Sequence, residues 1–200
     1  MSPTLLAAAV LIYLAGMVAL RRFRSSLLGY VWLSFGLAAI LVLAGQIGHW
    51  DEPLGQFQGQ ALMLMASVVG LRLGTLGSTA LVVPDPSGWS ILQIGIECSA
   101  LIEGSVFAGL ILFYPRLAPG ERLARLLAGL SGTLAVNLVR LSVIVGLVAW
   151  IGKPVVPVAH AVVGRLVFFV GIVALYWWML TLPTLRVVRR DLEVSGRAAL

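Results

Sequence analysis

The stretch PTLLAAAVLIYLAGMVALRRFR, residues 3–24, decides the class of fold. It is an uncharged run from Pro3 to Leu20 followed at once by Arg21, Arg22 and Arg24. A secretory signal carries its charge before the apolar core, not after it. The run therefore reads as a retained membrane span, its arginines in the cytoplasm and its N-terminus outside. The whole chain agrees: 60% of its 200 residues are hydrophobic and 11% charged, with mean hydropathy +1.03. Soluble domains carry about 25% charged residues, so a water-soluble fold of this composition could not cover its own surface.

Four further apolar runs follow, at 27–47, 99–114, 126–150 and 161–182. Each approaches the ~20 residues needed to cross a bilayer. The net charge of +6 comes from arginines beside these runs rather than from a basic face with interleaved aromatics, which excludes a nucleic-acid partner. Residues 57–77 are also apolar but carry Gln58, Gln60 and Arg72. Charge parity resolves them. Arg21–Arg24 and Arg116–Arg125 both belong in the cytoplasm, so an even number of crossings separates them, and 27–47 with 99–114 supplies two. Residues 57–77 then read as an amphipathic helix on the outer membrane face, with a re-entrant hairpin as the alternative that satisfies the same parity.

Residues 78–96 hold two β-branched-rich runs around Pro84-Asp85-Pro86-Ser87-Gly88, the signature of a small hairpin. Such backbone is excluded from lipid, so the hairpin is expected outside. The predicted fold is a single all-α polytopic membrane domain over residues 1–200. It has five transmembrane helices, an external amphipathic helix, a small external hairpin and a cytoplasmic tail at 186–200.

This topology sorts the chemistry-bearing residues by depth. Cys98 is the only cysteine, which excludes an intrachain disulfide and a cysteine-based metal cluster. It enters the third span from outside and is expected to start its helix, where the helix terminus and a nearby cation favour thiolate; the adjacent Glu97 opposes this. A lone cysteine also reads as a small buried hydrophobe. Arg140 lies 14 positions beyond Leu126, roughly 21 Å above the cytoplasmic side. A guanidinium there is costly unless it faces a cavity or partner. His160 opens the fifth span at the same outer layer, with His49, at the end of the second, as the alternative imidazole. Glu103 and Arg165 each lie five residues below that layer and are expected to pair, with Glu103–Arg140 as the competing pair. Asn137, one turn from Arg140, reads as a hydrogen-bonding residue that holds a neighbouring helix or orients the arginine.

Glu97-Cys98-Ser99 opening one span, Asn137-Leu138-Val139-Arg140 inside the next, and His160-Ala161-Val162-Val163-Gly164 opening the last resemble the exosortase/archaeosortase family of membrane transpeptidases. The resemblance covers roughly residues 50–182. It departs at Ala100, where many members have glycine, and at Glu103-Gly104, where an arginine is usual downstream. The resemblance implies that Cys98 is the nucleophile, His160 the general base and acid, and Arg140 the group that stabilises thiolate or oxyanion. It implies as partner a membrane-anchored protein bearing a C-terminal sorting signal, cut at the outer face of the cell membrane through a thioester. No metal or organic cofactor is called for. The rival expectation is a non-catalytic transport or assembly component in which Arg140 and Glu103 line a polar path.

Overall fold

The computed structural model describes residues 3–22, 26–115, 117–182, 185 and 189. Arg24, Arg116 and nearly all of the expected tail at 186–200 lie outside the described residues. Helices α1 (Pro3–Arg22) and α2 (Ser26–Ile47) form an antiparallel hairpin. Each lends an aromatic to the other: Trp32 Nε1 donates to the Tyr13 carbonyl at 3.1 Å, and the Tyr13 hydroxyl donates to the Leu33 carbonyl at 3.3 Å. Helix α3 (Asp51–Val68) follows, then strands β1 (Gly74–Leu76), β2 (Ala80–Asp85) and β3 (Gly88–Gln93). Helices α4 (Leu101–Leu112) and α5 (Pro119–Ile151) come next. A nearly continuous helical rod follows α5. It comprises a 3-10 turn (Lys153–Val155), the short α6 (Val156–Val158), a π turn (Ala159–Val163), α7 (Gly164–Tyr176) and a second π turn (Trp177–Thr181).

Among the described residues, four segments are long and apolar enough to cross a membrane: Pro3–Leu20, Leu27–Ile47, Pro119–Ile151 and Lys153–Thr181. The fifth expected span, 99–114, contains a helix of only 12 residues, about 18 Å long. It nevertheless runs antiparallel along most of α2. Leu101 packs at Gly45 near the end of α2, and the Tyr30 hydroxyl, near its start, donates to the Leu110 carbonyl at 3.0 Å. Between these points a Cβ on Gly109 would sit 2.2 Å from the Ser34 carbonyl oxygen. Only glycine admits that approach. The antiparallel register continues through the bundle, with Phe107 beside Gly129, Leu175 beside Gly132, and Ile144 beside Gly164.

Two expectations are corrected. The helix expected at 57–77 runs over Asp51–Val68 instead, so the polar stretch from Asp51 to Pro53 is its first turn rather than a loop. Proline is tolerated in a first turn, and Asp51 and Glu52 suit the positive end of the helix dipole. The helix stops because Gly70 adopts φ +78 and closes a Schellman motif: Leu71 N–H reaches the Ala66 carbonyl and Gly70 N–H the Ser67 carbonyl. The chain then forms β1, which adds a third strand to the expected hairpin and gives an antiparallel sheet of order β1-β2-β3. Asp85 caps the β2–β3 turn. Ser87 N–H, Ser87 Oγ and Ser90 Oγ all donate to its carboxylate, which holds the group below its ordinary value.

One face of the sheet, with Leu81 and Val83, packs on Leu62 of α3 and on Leu141, Ile144, Val145 and Val148 of α5. Cys98 belongs to this same apolar cluster. A second cluster, Phe107, Ile111, Leu117 and Met179, closes the opposite end of the bundle.

Candidate active site

Cys98 sits in a turn between β3 and α4. Its N–H donates to the Gly95 carbonyl at 2.9 Å, and Ser99 Oγ donates to the Ile96 carbonyl at 3.1 Å. Ala100 then adopts φ +60, and α4 begins at Leu101. Cys98 is therefore not in the first turn of a helix as expected but lies ahead of it, because the left-handed residue turns the chain before helical geometry starts. A left-handed alanine costs roughly 1–2 kcal/mol, so the surroundings hold it there.

What holds it is a pair of buried amides. Asn137, on α5, donates through Nδ2 to the Cys98 carbonyl and to Gln58 Oε1. Gln58, on α3, donates through Nε2 to the Ser99 carbonyl at 2.8 Å. Both side chains are fully buried, as is Ser99. Two helices distant in sequence, α3 and α5, thus grip two consecutive carbonyls of the turn. Buried carbonyls need such partners, since leaving one unpaired costs about 1–3 kcal/mol.

Arg140 follows Asn137 by three residues and so shares its helix face. Its Nη1 donates to the Glu97 carbonyl at 3.2 Å, and its guanidinium lies 5.5 Å from the centroid of the Phe168 ring. Arg140 is 5% exposed, and its Nε has no hydrogen-bond partner. A cation this deep is held by a carbonyl and an aromatic face rather than by a carboxylate.

His160 sits in the π turn Ala159–Val163, where the wider winding is of the kind that often occurs at functional sites. Its Nε2 lies 4.0 Å from Cys98 Sγ. Burial pushes the Cys98 thiol up, the nearby Arg140 cation pulls it down, and Glu97 and Glu103 push it up again; the net direction is upward. The thiol is therefore held protonated, with an imidazole placed to take its proton. A buried thiol, a half-buried imidazole and a buried fixed cation form a constellation suited to nucleophilic catalysis.

The structure brings Cys98, Asn137, Arg140 and His160 together and leaves others apart. Glu97 contributes its carbonyl while its side chain is exposed. Neither Glu103–Arg165 nor Glu103–Arg140 forms an ion pair among the described residues. Glu103 and Arg165 both line a cleft of about 520 Å³ with Glu97, Arg140, Phe168 and Phe169, and Arg165 is exposed. His49 pairs with Glu52 at 3.5 Å on an exposed turn. Gln58 is the residue that sequence reasoning missed: it was placed on the polar face of a surface helix, whereas it lies at the centre of the site. Among the described residues no group of three metal-ligating side chains gathers. No protein-family model, curated protein or solved structure matches the chain.

Proposed function

We propose that this chain is a membrane cysteine transpeptidase or protease of the exosortase/archaeosortase type. It would cut a membrane-anchored protein near its C-terminal sorting signal at the outer face of the cell membrane. The observation that carries the proposal is the 4.0 Å approach of Cys98 Sγ to His160 Nε2, between residues 62 positions apart, beside buried Arg140. Cys98 Sγ gives its proton to His160 and attacks a backbone carbonyl; Arg140 stabilises the negative charge that develops. The C–N bond then breaks, His160 protonates the leaving amine, and the acyl group remains on sulfur as a thioester. An acceptor amine or water releases it. Ala100 fits the same reading, because the position where the family favours glycine has the left-handed φ of +60 that glycine adopts freely.

In this reading α4 is the third of five crossings, supported by its antiparallel run along α2. The sheet, α3 and the C-terminal turns of α5 then form a cap outside the bilayer. A reporter fused after Arg190 is expected to register cytoplasm, and an external signal there overturns the topology.

The deciding experiment is covalent trapping. The substrates to test are membrane proteins ending in a short motif, an apolar span and a basic tail. Mass spectrometry of the chain isolated from membranes is expected to find an acyl fragment on Cys98, enriched in His160→Ala and absent in Cys98→Ala. Full processing by Cys98→Ser, or no adduct with a processed substrate in hand, refutes a thioester. The cleft between Glu97, Glu103, Arg140 and Arg165 favours a second reading, a polar path in a transport or assembly component. That reading predicts full function in Cys98→Ala.

A further inference from the structure

The outer edge of β3 is open, and the strand leads directly to the nucleophile. In an antiparallel ladder, residues alternate between those whose N–H and C=O face the partner strand and those whose groups face away. Ile94 N–H donates to the Thr79 carbonyl at 2.9 Å, which fixes the phase of the alternation. With the register Ala80↔Gln93, Leu81↔Leu92, Val82↔Ile91 and Val83↔Ser90, the backbone groups of Leu92 and Ser90 face β2. Those of Trp89, Ile91 and Gln93 face outward. β3 is a terminal strand of the sheet, and among the described residues the outward backbone groups of Trp89, Ile91 and Gln93 pair with no other backbone. β1, at the opposite edge, is only three residues long.

Proteins usually guard an edge of this kind with charges, proline or a bulge. Residues 88–93, Gly-Trp-Ser-Ile-Leu-Gln, carry neither charge nor proline. Unpaired amides beside a bilayer need water or another strand, since lipid cannot satisfy them. Four residues separate Gln93 from Cys98, and the last two of them, Ile96 and Glu97, belong to the turn that carries the thiol. A bound strand of five residues, about 17 Å long, therefore suffices to reach from this edge to the thiol.

We propose that the β3 edge binds the substrate by strand addition: an extended segment of the protein substrate pairs its backbone with the outward groups of Trp89, Ile91 and Gln93, and its continuation past Gln93 delivers a peptide bond to Cys98. The inference rests on the nucleophilic role of Cys98. Recognition of this kind draws affinity from main-chain hydrogen bonds and selectivity from alternate side chains. Ile91 and Trp89 would face every second side chain of the incoming strand. An extended segment is also the form in which a scissile bond is most accessible, with no local helix to unwind.

The test uses a defined probe, the uncharged pentapeptide acetyl-Thr-Val-Thr-Val-Ala chloromethyl ketone, on the full-length protein in detergent. Cys98 displaces chloride and forms a thioether, read by mass spectrometry. Two analogues carry N-methyl groups on alternate amides, one on the first, third and fifth residues and one on the second and fourth. Every rate is divided by that of iodoacetamide, which has no strand to pair. One methylated set is expected to react about tenfold more slowly, from loss of edge hydrogen bonds worth about 1 kcal/mol or more; the other set should stay within about twofold of the parent. Ile91→Pro, which removes an outward N–H and no ladder bond, is expected to lower the parent peptide's normalised rate by a similar factor. Equal rates for all three peptides overturn the edge alone. A thiol inert to iodoacetamide and peptide alike overturns the nucleophile, and the peptide edge with it. A dimer in detergent that dissociates in Ile91→Pro assigns the edge to a second copy and also overturns the proposal.

Discussion

Replacing Asn137 with leucine removes its hydrogen-bonding groups from the amide pair while keeping the branching and the number of heavy atoms of the side chain. Two buried acceptors, the Cys98 carbonyl and Gln58 Oε1, then lose their donor. At about 1–3 kcal/mol each, the loss is roughly 2–6 kcal/mol. Asn137 Oδ1 is itself buried without a partner, so deleting it offsets about 1–3 kcal/mol of that. A net destabilisation near 2 kcal/mol is expected. Gln58→Leu loses the donor to the Ser99 carbonyl and is expected to cost a similar amount. The double variant removes Gln58 Oε1 and Asn137 Nδ2 together, so it should cost less than the sum of the singles, with a coupling of about 0.5–3 kcal/mol. Reversible denaturation in detergent measures all four proteins, and the iodoacetamide rate at Cys98 shows whether the turn has moved. The account is refuted if Asn137→Leu denatures at the wild-type midpoint, or if the singles add to within about 0.5 kcal/mol.

Three further outcomes follow from single positions. Ala100→Gly relieves the left-handed φ and is expected to stabilise by up to about 1 kcal/mol, whereas Ala100→Val destabilises; a glycine variant less stable than wild type contradicts the strain. Gly109→Ala drives a methyl into the Ser34 carbonyl and should cost about 1–3 kcal/mol, read as a lowered denaturation midpoint, with an unchanged midpoint as the contrary result. The Cys98 thiol is raised above its ordinary 9.0, so the unfolded chain ionises before the folded one. The stability it contributes is whole below pH 9.0 and falls as pH rises past it, in a denaturation series where Cys98→Ala should remove that slope.

Much of the bundle was legible because long apolar runs and flanking arginines speak for themselves. Depth counting along those runs also brought Cys98, Arg140 and His160 to one layer, as the 4.0 Å contact and the Arg140–Glu97 hydrogen bond require. Depth says nothing of azimuth, and that is where Glu103–Arg165 failed: both line one cleft without meeting in an ion pair. Gln58 was misread because a glutamine in an amphipathic pattern defaults to water, while its burial depends on Asn137, 79 positions away. The end of α3 did leave a signal, since Gly70 two residues beyond Val68 is a helix stop. β1 left none, as a three-residue strand inside an apolar run has no period to detect.

Helix α5 has 33 residues and is about 50 Å long, against a hydrocarbon core of about 30 Å. α4, the sheet and the π turn all hang from it at fixed heights. α5 is thus a ruler laid across the bilayer, and the height of the thiol is marked on protein rather than on lipid. If the proposed function holds, membrane thickness becomes a variable of the chemistry. In a thicker bilayer the headgroups rise past the mark and the site sinks among acyl chains. A helix forced to tilt in thin lipid would instead carry the site sideways out of register with whatever is anchored beside it.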